Sequence, residues 1–150
     1  MKQEYQKLAK KYKLPSFDSL NKEFEISDIE TVDFLLREIR RKINERFENY
    51  IKVLEPILQP EANVCDMHEC KALNEDEKKR VYELYRKLMY LNKFSIETSI
   101  NEDDKKSSLF INQVWKDLDK IKKDFKQIVV KLKDSWLKES DIDEELGYMG

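Results

Sequence analysis

The chain contains almost no glycine: of its 150 residues only Gly147 and Gly150 are glycines, so residues 1–146 run without one. Glycine reaches positive φ at least cost, and tight hairpins, phosphate-binding loops and nucleophile elbows need it at fixed positions. Residues 1–146 therefore contain neither a Walker loop nor a dinucleotide-binding fingerprint. The sequence predicts an all-α protein and excludes most β architectures.

Composition limits the kind of partner. Charged residues make up 40% of the chain, against about 25% in ordinary globular proteins, but 29 Lys and Arg nearly balance 31 Asp and Glu, for a net charge of −2. This balance gives no overall attraction to nucleic acid or to anionic membranes, so either partner would need a local patch. The length fits one domain. We expect one domain over residues 1–140 and a flexible acidic tail over 141–150.

The sequence also indicates a cellular location. Two cysteines, Cys65 and Cys70, are too few for the disulfide framework of a small secreted protein, and the first residues lack the apolar segment of a secretion signal. No apolar run approaches the roughly 20 residues of a membrane-spanning helix. We therefore expect a cytoplasmic protein with no membrane partner.

Apolar residues spaced three and four apart predict three long helices. The first is expected to begin at Ser27, which forms a capping box with Glu30, and to end or kink at Pro56 and Pro60. The second is expected over 75–100, after an N-cap at Asn74, and the third over 104–138. Shorter helices are predicted over 2–14, after an N-cap at Ser16, and after Pro60.

The predicted helix lengths suggest how these elements pack. The first and third long helices would each be about 45 to 50 Å long, whereas a compact chain of this size has a diameter near 40 Å. Helices of this length pack most simply as antiparallel neighbours joined by short loops. We therefore predict an elongated antiparallel helical bundle with three long helices plus shorter N-terminal and connecting helices.

Residues with metal-ligand chemistry occur together only at Cys65, His68 and Cys70. On a regular helix Cys65 and His68 share a face, but Cys70 falls about 140° away, and the chain has no second histidine to complete a zinc site. The pattern favours two small buried thiols and a capping or surface histidine. Thiol catalysis would depend on His68 as its base. We predict no metal, no cofactor and no enzymatic activity.

Two basic stretches are candidates for contacts with phosphate. One is the N-terminal helix, where lysines alternate with aromatic residues as in single-strand binding proteins. The other is an arginine-rich run over 37–46. The alternative is that the aromatic residues pack on the bundle while the basic residues face water or pair with nearby glutamates. The candidate phosphate-binding residues are Lys7, Lys10, Lys11, Arg37, Arg40 and Arg41.

Some aromatic residues lie off the main apolar stripes. Phe34 is about 160° from the stripe of its predicted helix, and Tyr90 and Phe94 lie opposite Leu88 on theirs. Either the N-terminal segment covers these rings or they form a patch on which a partner docks. The acidic tail carries further apolar residues and is either disordered or a short docking motif. Its candidate partner-binding residues are Ile142, Leu146 and Tyr148.

These observations predict a non-enzymatic helical module that binds another protein, as an adaptor or a small subunit of a larger assembly. Long amphipathic helices with surplus aromatic residues are suited to association. The expected partner is a different protein, and the alternative is a second copy of the chain in a homodimer. The competing hypothesis is a nucleic-acid-associated protein that uses the basic N-terminal helix and the run from Arg37 to Arg46.

Overall fold

The structure is a computed structural model and describes residues 1–137. In this range the secondary structure is helical and includes no β-strand. The helices pack against one another, α3 (Leu35–Leu58) with α5 (Glu75–Ile100) and α5 with α6 (Asp104–Ser135), so the predicted all-α bundle is confirmed. The elements are α1 (Lys2–Tyr12), α2 (Phe17–Phe24), a 3₁₀ helix (Ile26–Asp28), α3 (Leu35–Leu58), α4 (Val64–Ala72), α5 (Glu75–Ile100) and α6 (Asp104–Ser135). Within residues 1–137, no helix combines the length and the apolar content that crossing a membrane requires.

Two predicted helix starts are confirmed by their hydrogen bonds. At α2, the Ser19 backbone N–H donates to Ser16 Oγ. At α5, Asn74 and Glu77 form a reciprocal pair: the Glu77 N–H donates to Asn74 Oδ1 at 2.8 Å, and the Asn74 N–H donates to Glu77 Oε1 at 2.9 Å. Each bond satisfies an N–H that the first helical turn leaves without a partner.

The predicted start of α3 at Ser27 is wrong, because α3 begins at Leu35. The Ser27 N–H donates to Asn21 Oδ1 at 2.8 Å, and a 3₁₀ helix forms over Ile26–Asp28 instead. Phe34, immediately before α3, has a φ of 56°, which no right-handed helix accommodates. The segment from Ile29 to Phe34 is therefore a connection and not the first turns of α3.

The described chain divides into two compact units. The first unit comprises Met1–Glu48 and Tyr90–Asp119, and the second comprises Asn49–Met89 and the chain from Lys120 onward. The single domain expected over residues 1–140 stays a prediction.

In the first unit, α3 and α5 run antiparallel, since Arg40 contacts Ser95 while Asn44 contacts Asn92. The core includes the fully buried rings of Tyr5, Phe47 and Phe110. Burial raises the pKa of Tyr5 to about 12, and its hydroxyl donates to the Pro15 carbonyl. These contacts fix the N-terminal segment, and α1 is tied to α6 by a 3.3 Å hydrogen bond from Asn112 Nδ2 to the Tyr12 carbonyl.

In the second unit, the buried core is formed mainly by aliphatic residues of α3, α5 and α6. An ion pair between Glu77 and Lys131 joins the beginning of α5 to the last turns of α6. His68 on α4 lies 3.0 Å from Ser135 Oγ and stacks on Trp136 with 3.9 Å between ring centroids. The short helix α4 is therefore anchored to the end of α6 through its histidine.

Candidate functional site

The first unit has an apolar groove between α5 and α6, here called the Tyr90 groove. Phe94 in its lining is half-buried, with an edge-to-face contact to Tyr90 at 6.2 Å and another to the buried Phe110 at 5.5 Å. Tyr90 and Leu109 remain 56% and 54% exposed. The groove has a volume of about 320 Å³, and its lining includes Tyr90, Phe94, Leu109, Lys93, Glu97 and Lys106.

The structure thus brings together two of the three aromatic residues proposed from the sequence. Phe34 does not line the Tyr90 groove; it is 65% exposed, and the Arg37 guanidinium lies 4.6 Å from its ring centroid. Its predicted helical phase does not apply, because Phe34 precedes α3. A cation–π contact of this kind shields one face of the ring.

The N-terminal segment packs elsewhere. Phe24 of α2 contacts Phe47 of α3, with 6.4 Å between ring centroids. Tyr5 contacts Phe17 within the segment itself, at 5.8 Å. Neither α1 nor α2 contributes a residue to the lining of the Tyr90 groove. Tyr90 is therefore not covered by α1 or α2.

The second unit has an apolar groove of its own, here called the Tyr50 groove. Its floor is Tyr50 of α3 stacked on Phe125 of α6, with 3.9 Å between ring centroids and 14° between the ring planes. Val129 and Val130 extend the apolar lining along α6. Three basic residues complete the lining: Lys122, Lys123 and Lys126.

The second unit also contains a larger open cleft of about 880 Å³, here called the Tyr82 cleft. Tyr82 is 53% exposed, and the Tyr85 hydroxyl donates to Glu55 at 3.0 Å. Burial, followed by the interaction with Glu55, raises the pKa of Tyr85. Asp66 in its wall accepts the Glu61 backbone N–H. Among the described residues, these polar groups are paired within the cleft, Tyr85 with Glu55 and Asp66 with the Glu61 N–H.

Arg40 was proposed as a phosphate ligand, but the structure buries it. It is 3% exposed; its guanidinium donates to the Ser95 carbonyl at 2.9 Å and to Ser95 Oγ at 2.7 Å, and it pairs with Glu102. Burial lowers the pKa of Arg40, and the Glu102 carboxylate opposes that shift. A guanidinium engaged inside the bundle is not available to a phosphate on its surface.

The other proposed basic residues lie on the surface of the first unit. Arg37 and Arg41 both contact Glu38, at 3.5 and 3.2 Å, as the predicted local pairing requires. Lys7 lies 3.6 Å from Glu4. Lys10 and Lys11 occupy the last turn of α1, where positive charge favours the helix dipole. Because Arg40 is buried, it does not contribute to a positive surface along the arginine-rich run.

The Cys65, His68 and Cys70 cluster differs from its expected burial. Cys65 is exposed and Cys70 half-buried, whereas His68, expected at the surface or as a cap, is 8% exposed. The reason is the contact of His68 with Ser135 and Trp136, which lie 67 and 68 residues away in sequence. Burial raises the pKa of the Cys65 thiol, as do Glu69 and Asp66. Among residues 1–137, no three His, Cys, Asp or Glu side chains are placed to hold a metal ion.

The tail residues Ile142, Leu146 and Tyr148 lie outside the described residues.

Two features of the grooves were missed at the sequence level. Leu109 is separated by about 140° from the buried Val114 on α6, the same off-stripe signal that identified Tyr90. Tyr50 and Phe125 belong to the apolar residues spaced three and four apart, a pattern that predicts core positions, but both are half-buried.

Comparisons of the chain with protein-family models, with curated proteins and with solved structures found no match.

Proposed function

We propose that this protein is a non-enzymatic protein-interaction module, and that its Tyr90 groove receives apolar side chains of a partner protein. The observation that carries the proposal is the exposure of Tyr90 and Leu109 in the same groove as Phe94, which itself contacts the buried Phe110. An apolar centre supported by a packed ring is typical of the residues that contribute most to protein association.

The aromatic rings of this groove are held in place before a partner arrives. Phe94 contacts Tyr90 and Phe110 in edge-to-face geometry, with interplanar angles of 84° and 70°. A tyrosine has few rotatable bonds, so ordering Tyr90 on binding costs little conformational entropy. Burying its ring against a partner removes apolar surface from water.

Charged side chains surround this apolar centre. Lys93 and Glu97 on α5 and Lys106 on α6 line the groove, and within residues 1–137 none of these three forms a side-chain ion pair. A polar rim around an apolar centre is the usual organisation of a protein interface. Charges of both signs orient a partner and do not select for its overall charge.

The test is a capture experiment in extracts of the native host. Wild-type protein, Tyr90→Ser and Tyr82→Ser are immobilised, and the captured proteins are compared by quantitative mass spectrometry. Tyr82 is the matched control because its exposure, 53%, is close to that of Tyr90 and it lies in the Tyr82 cleft. We expect a protein that wild type and Tyr82→Ser retain and Tyr90→Ser loses. Equal retention by all three would overturn the proposed site.

A further inference from the structure

The Tyr50 groove differs from the Tyr90 groove in the charge around it. Its floor consists of the stacked rings of Tyr50 and Phe125 with Val129 and Val130, and its volume of about 530 Å³ lies within the range of pockets that bind ligands or inserted side chains. The charged residues that line it are all lysines. An apolar floor beside positive charge fits a ligand with both apolar and acidic groups.

The lysines lie on one face of α6. Lys122 and Lys126 are four residues apart and Lys123 is adjacent, so their side chains emerge on the same side of the helix. Within residues 1–137, the side chains of Lys123 and Lys126 form no hydrogen bond or ion pair. Their charge is therefore available to a carboxylate outside the described part of the chain.

The sequence that follows α6 has the complementary composition. Residues 138–150 contain five acidic side chains and one lysine, and four of the acidic side chains lie at Asp141, Asp143, Glu144 and Glu145. The apolar residues Ile142 and Leu146 lie among them. The tail thus offers acidic groups for the lysines and aliphatic groups for the apolar floor.

The tail is long enough to reach the groove. The backbone N–H groups of Trp136 and Leu137 still bond to carbonyls of α6, so an extended chain can begin only after Leu137. From Leu137 back to Lys126 is eleven residues, or about 16 Å at the helical rise. The residues from Ile142 to Glu145 follow Leu137 by five to eight positions, so an extended chain would carry them about 17 to 26 Å. The span is therefore sufficient for the chain to reverse and run back beside α6.

We propose that residues 141–146 dock into the Tyr50 groove of the same molecule, with Ile142 and Leu146 on its apolar floor and the neighbouring carboxylates beside Lys123 and Lys126. Because the tail is covalently attached, its effective concentration at the groove is of order millimolar, so contacts too weak to bind a separate peptide are sufficient. This proposal does not rest on the Tyr90 groove, which lies in the other compact unit.

The test is zero-length carbodiimide cross-linking of the full 150-residue chain, followed by peptide mass spectrometry. This reagent joins a lysine to a carboxylate only where the two are in contact. We expect cross-links from Lys123 or Lys126 to acidic residues of 141–145, with a yield that does not change on dilution. Lys79 and Lys116, also exposed on α5 and α6, serve as reference lysines. Equal yields at all four lysines, or yields that fall on dilution because a second molecule supplies the tail, would overturn the proposal.

A second variant separates docking from general charge attraction. Ile142→Ser/Leu146→Ser keeps every carboxylate and changes none of residues 1–137. If the aliphatic side chains occupy the groove, we expect the cross-link yield to fall about fivefold or more, since burial of even one such side chain corresponds to roughly a tenfold change in the equilibrium constant for docking. An unchanged yield would show that the tail does not enter the groove.

Discussion

The two compact units each carry an apolar groove on α6, and the two grooves differ in support and in charge. In the Tyr90 groove the half-buried Phe94 rests on Phe110, which is fully buried, and the lining charges have both signs. In the Tyr50 groove the supporting ring, Phe125, is itself half-buried, and the lining charges are all positive. Similar apolar surfaces can therefore favour different ligands, because the charged residues around each groove determine which ligand charge is attracted. The burial of the supporting ring determines how much a substitution in the groove lowers the stability of the fold.

The ion pairs of the two units show a parallel difference. Arg40 in the first unit is buried and bonded to Ser95 and Glu102, whereas the Glu77–Lys131 pair of the second unit is partly exposed. A buried charge that loses its partner cannot regain water, but an exposed charge can. The two pairs should therefore respond differently to the loss of one member.

The largest expected effect concerns the rings that support the two grooves. Phe110→Ala should lower the free energy of unfolding by about 3 to 5 kcal/mol, because it leaves a cavity among buried neighbours. Phe125→Ala should cost only about 1 to 2 kcal/mol, mostly through the stacking contact with Tyr50. Urea denaturation of both variants measures the difference. Equal losses would mean that the two rings support their units equally.

Removing one member of each ion pair should give the next largest difference. Glu102→Ala leaves the Arg40 guanidinium buried with only its Ser95 contacts, and should cost about 2 to 4 kcal/mol. Lys131→Ala removes an exposed partner and should cost less than about 1 kcal/mol. Thermal unfolding monitored by circular dichroism compares the two variants. A larger loss for Lys131→Ala than for Glu102→Ala would contradict the assigned burial of the pairs.

A smaller effect is expected for the pH dependence of Glu77. The Asn74 backbone N–H, followed by Lys131, holds the pKa of the Glu77 carboxyl below its ordinary value. Its contribution to stability is therefore complete above the unfolded-state pKa of about 4.3 and is lost as the pH falls through the lower folded-state pKa. Glu77→Gln should be less stable than wild type near neutral pH, and the difference should disappear in acid. A constant difference across that range would show that the carboxylate charge is not involved.

The smallest expected effect is on binding to nucleic acid. Because Arg40 is buried and the net charge is −2, we expect weak retention of DNA or RNA at physiological salt, and little change in Lys7→Glu/Lys10→Glu/Lys11→Glu. Filter binding at several salt concentrations measures both. Strong retention that the triple variant abolishes would instead favour the competing hypothesis, with α1 as the binding surface.

Sequence reasoning succeeded where the deciding contacts are close in sequence. The starts of α2 and α5 depend on side chains three residues from the N–H groups they satisfy, and both were predicted. The start of α3 was not, because Asn21 takes the Ser27 N–H from six residues away and Phe34 adopts a left-handed conformation. A capping pattern indicates a possible helix start but does not exclude such competitors.

The candidate site shows the same limit at longer range. The position of Tyr90 opposite the buried stripe followed from helical phase, which is a local property, but its exposure did not, because coverage by the N-terminal segment was an open alternative. Arg40 and His68 could not be placed in this way, because the residues that bury them, Glu102 and Ser135, lie 62 and 67 positions further along the chain. The spacing within one helix does not show which other helix will pack against it.

The most direct test of the proposed interaction module compares affinity with stability for one variant. With a partner captured by wild type, isothermal titration calorimetry gives Kd for wild type, Tyr90→Ser and the control Tyr82→Ser, and urea denaturation gives their stabilities. We predict that Tyr90→Ser weakens binding by more than about 2 kcal/mol, or roughly 30-fold, and changes stability by less than about 1 kcal/mol. Tyr82→Ser should change neither quantity appreciably. Unchanged affinity in Tyr90→Ser, with a large loss of stability, would contradict the proposal and assign Tyr90 to the core.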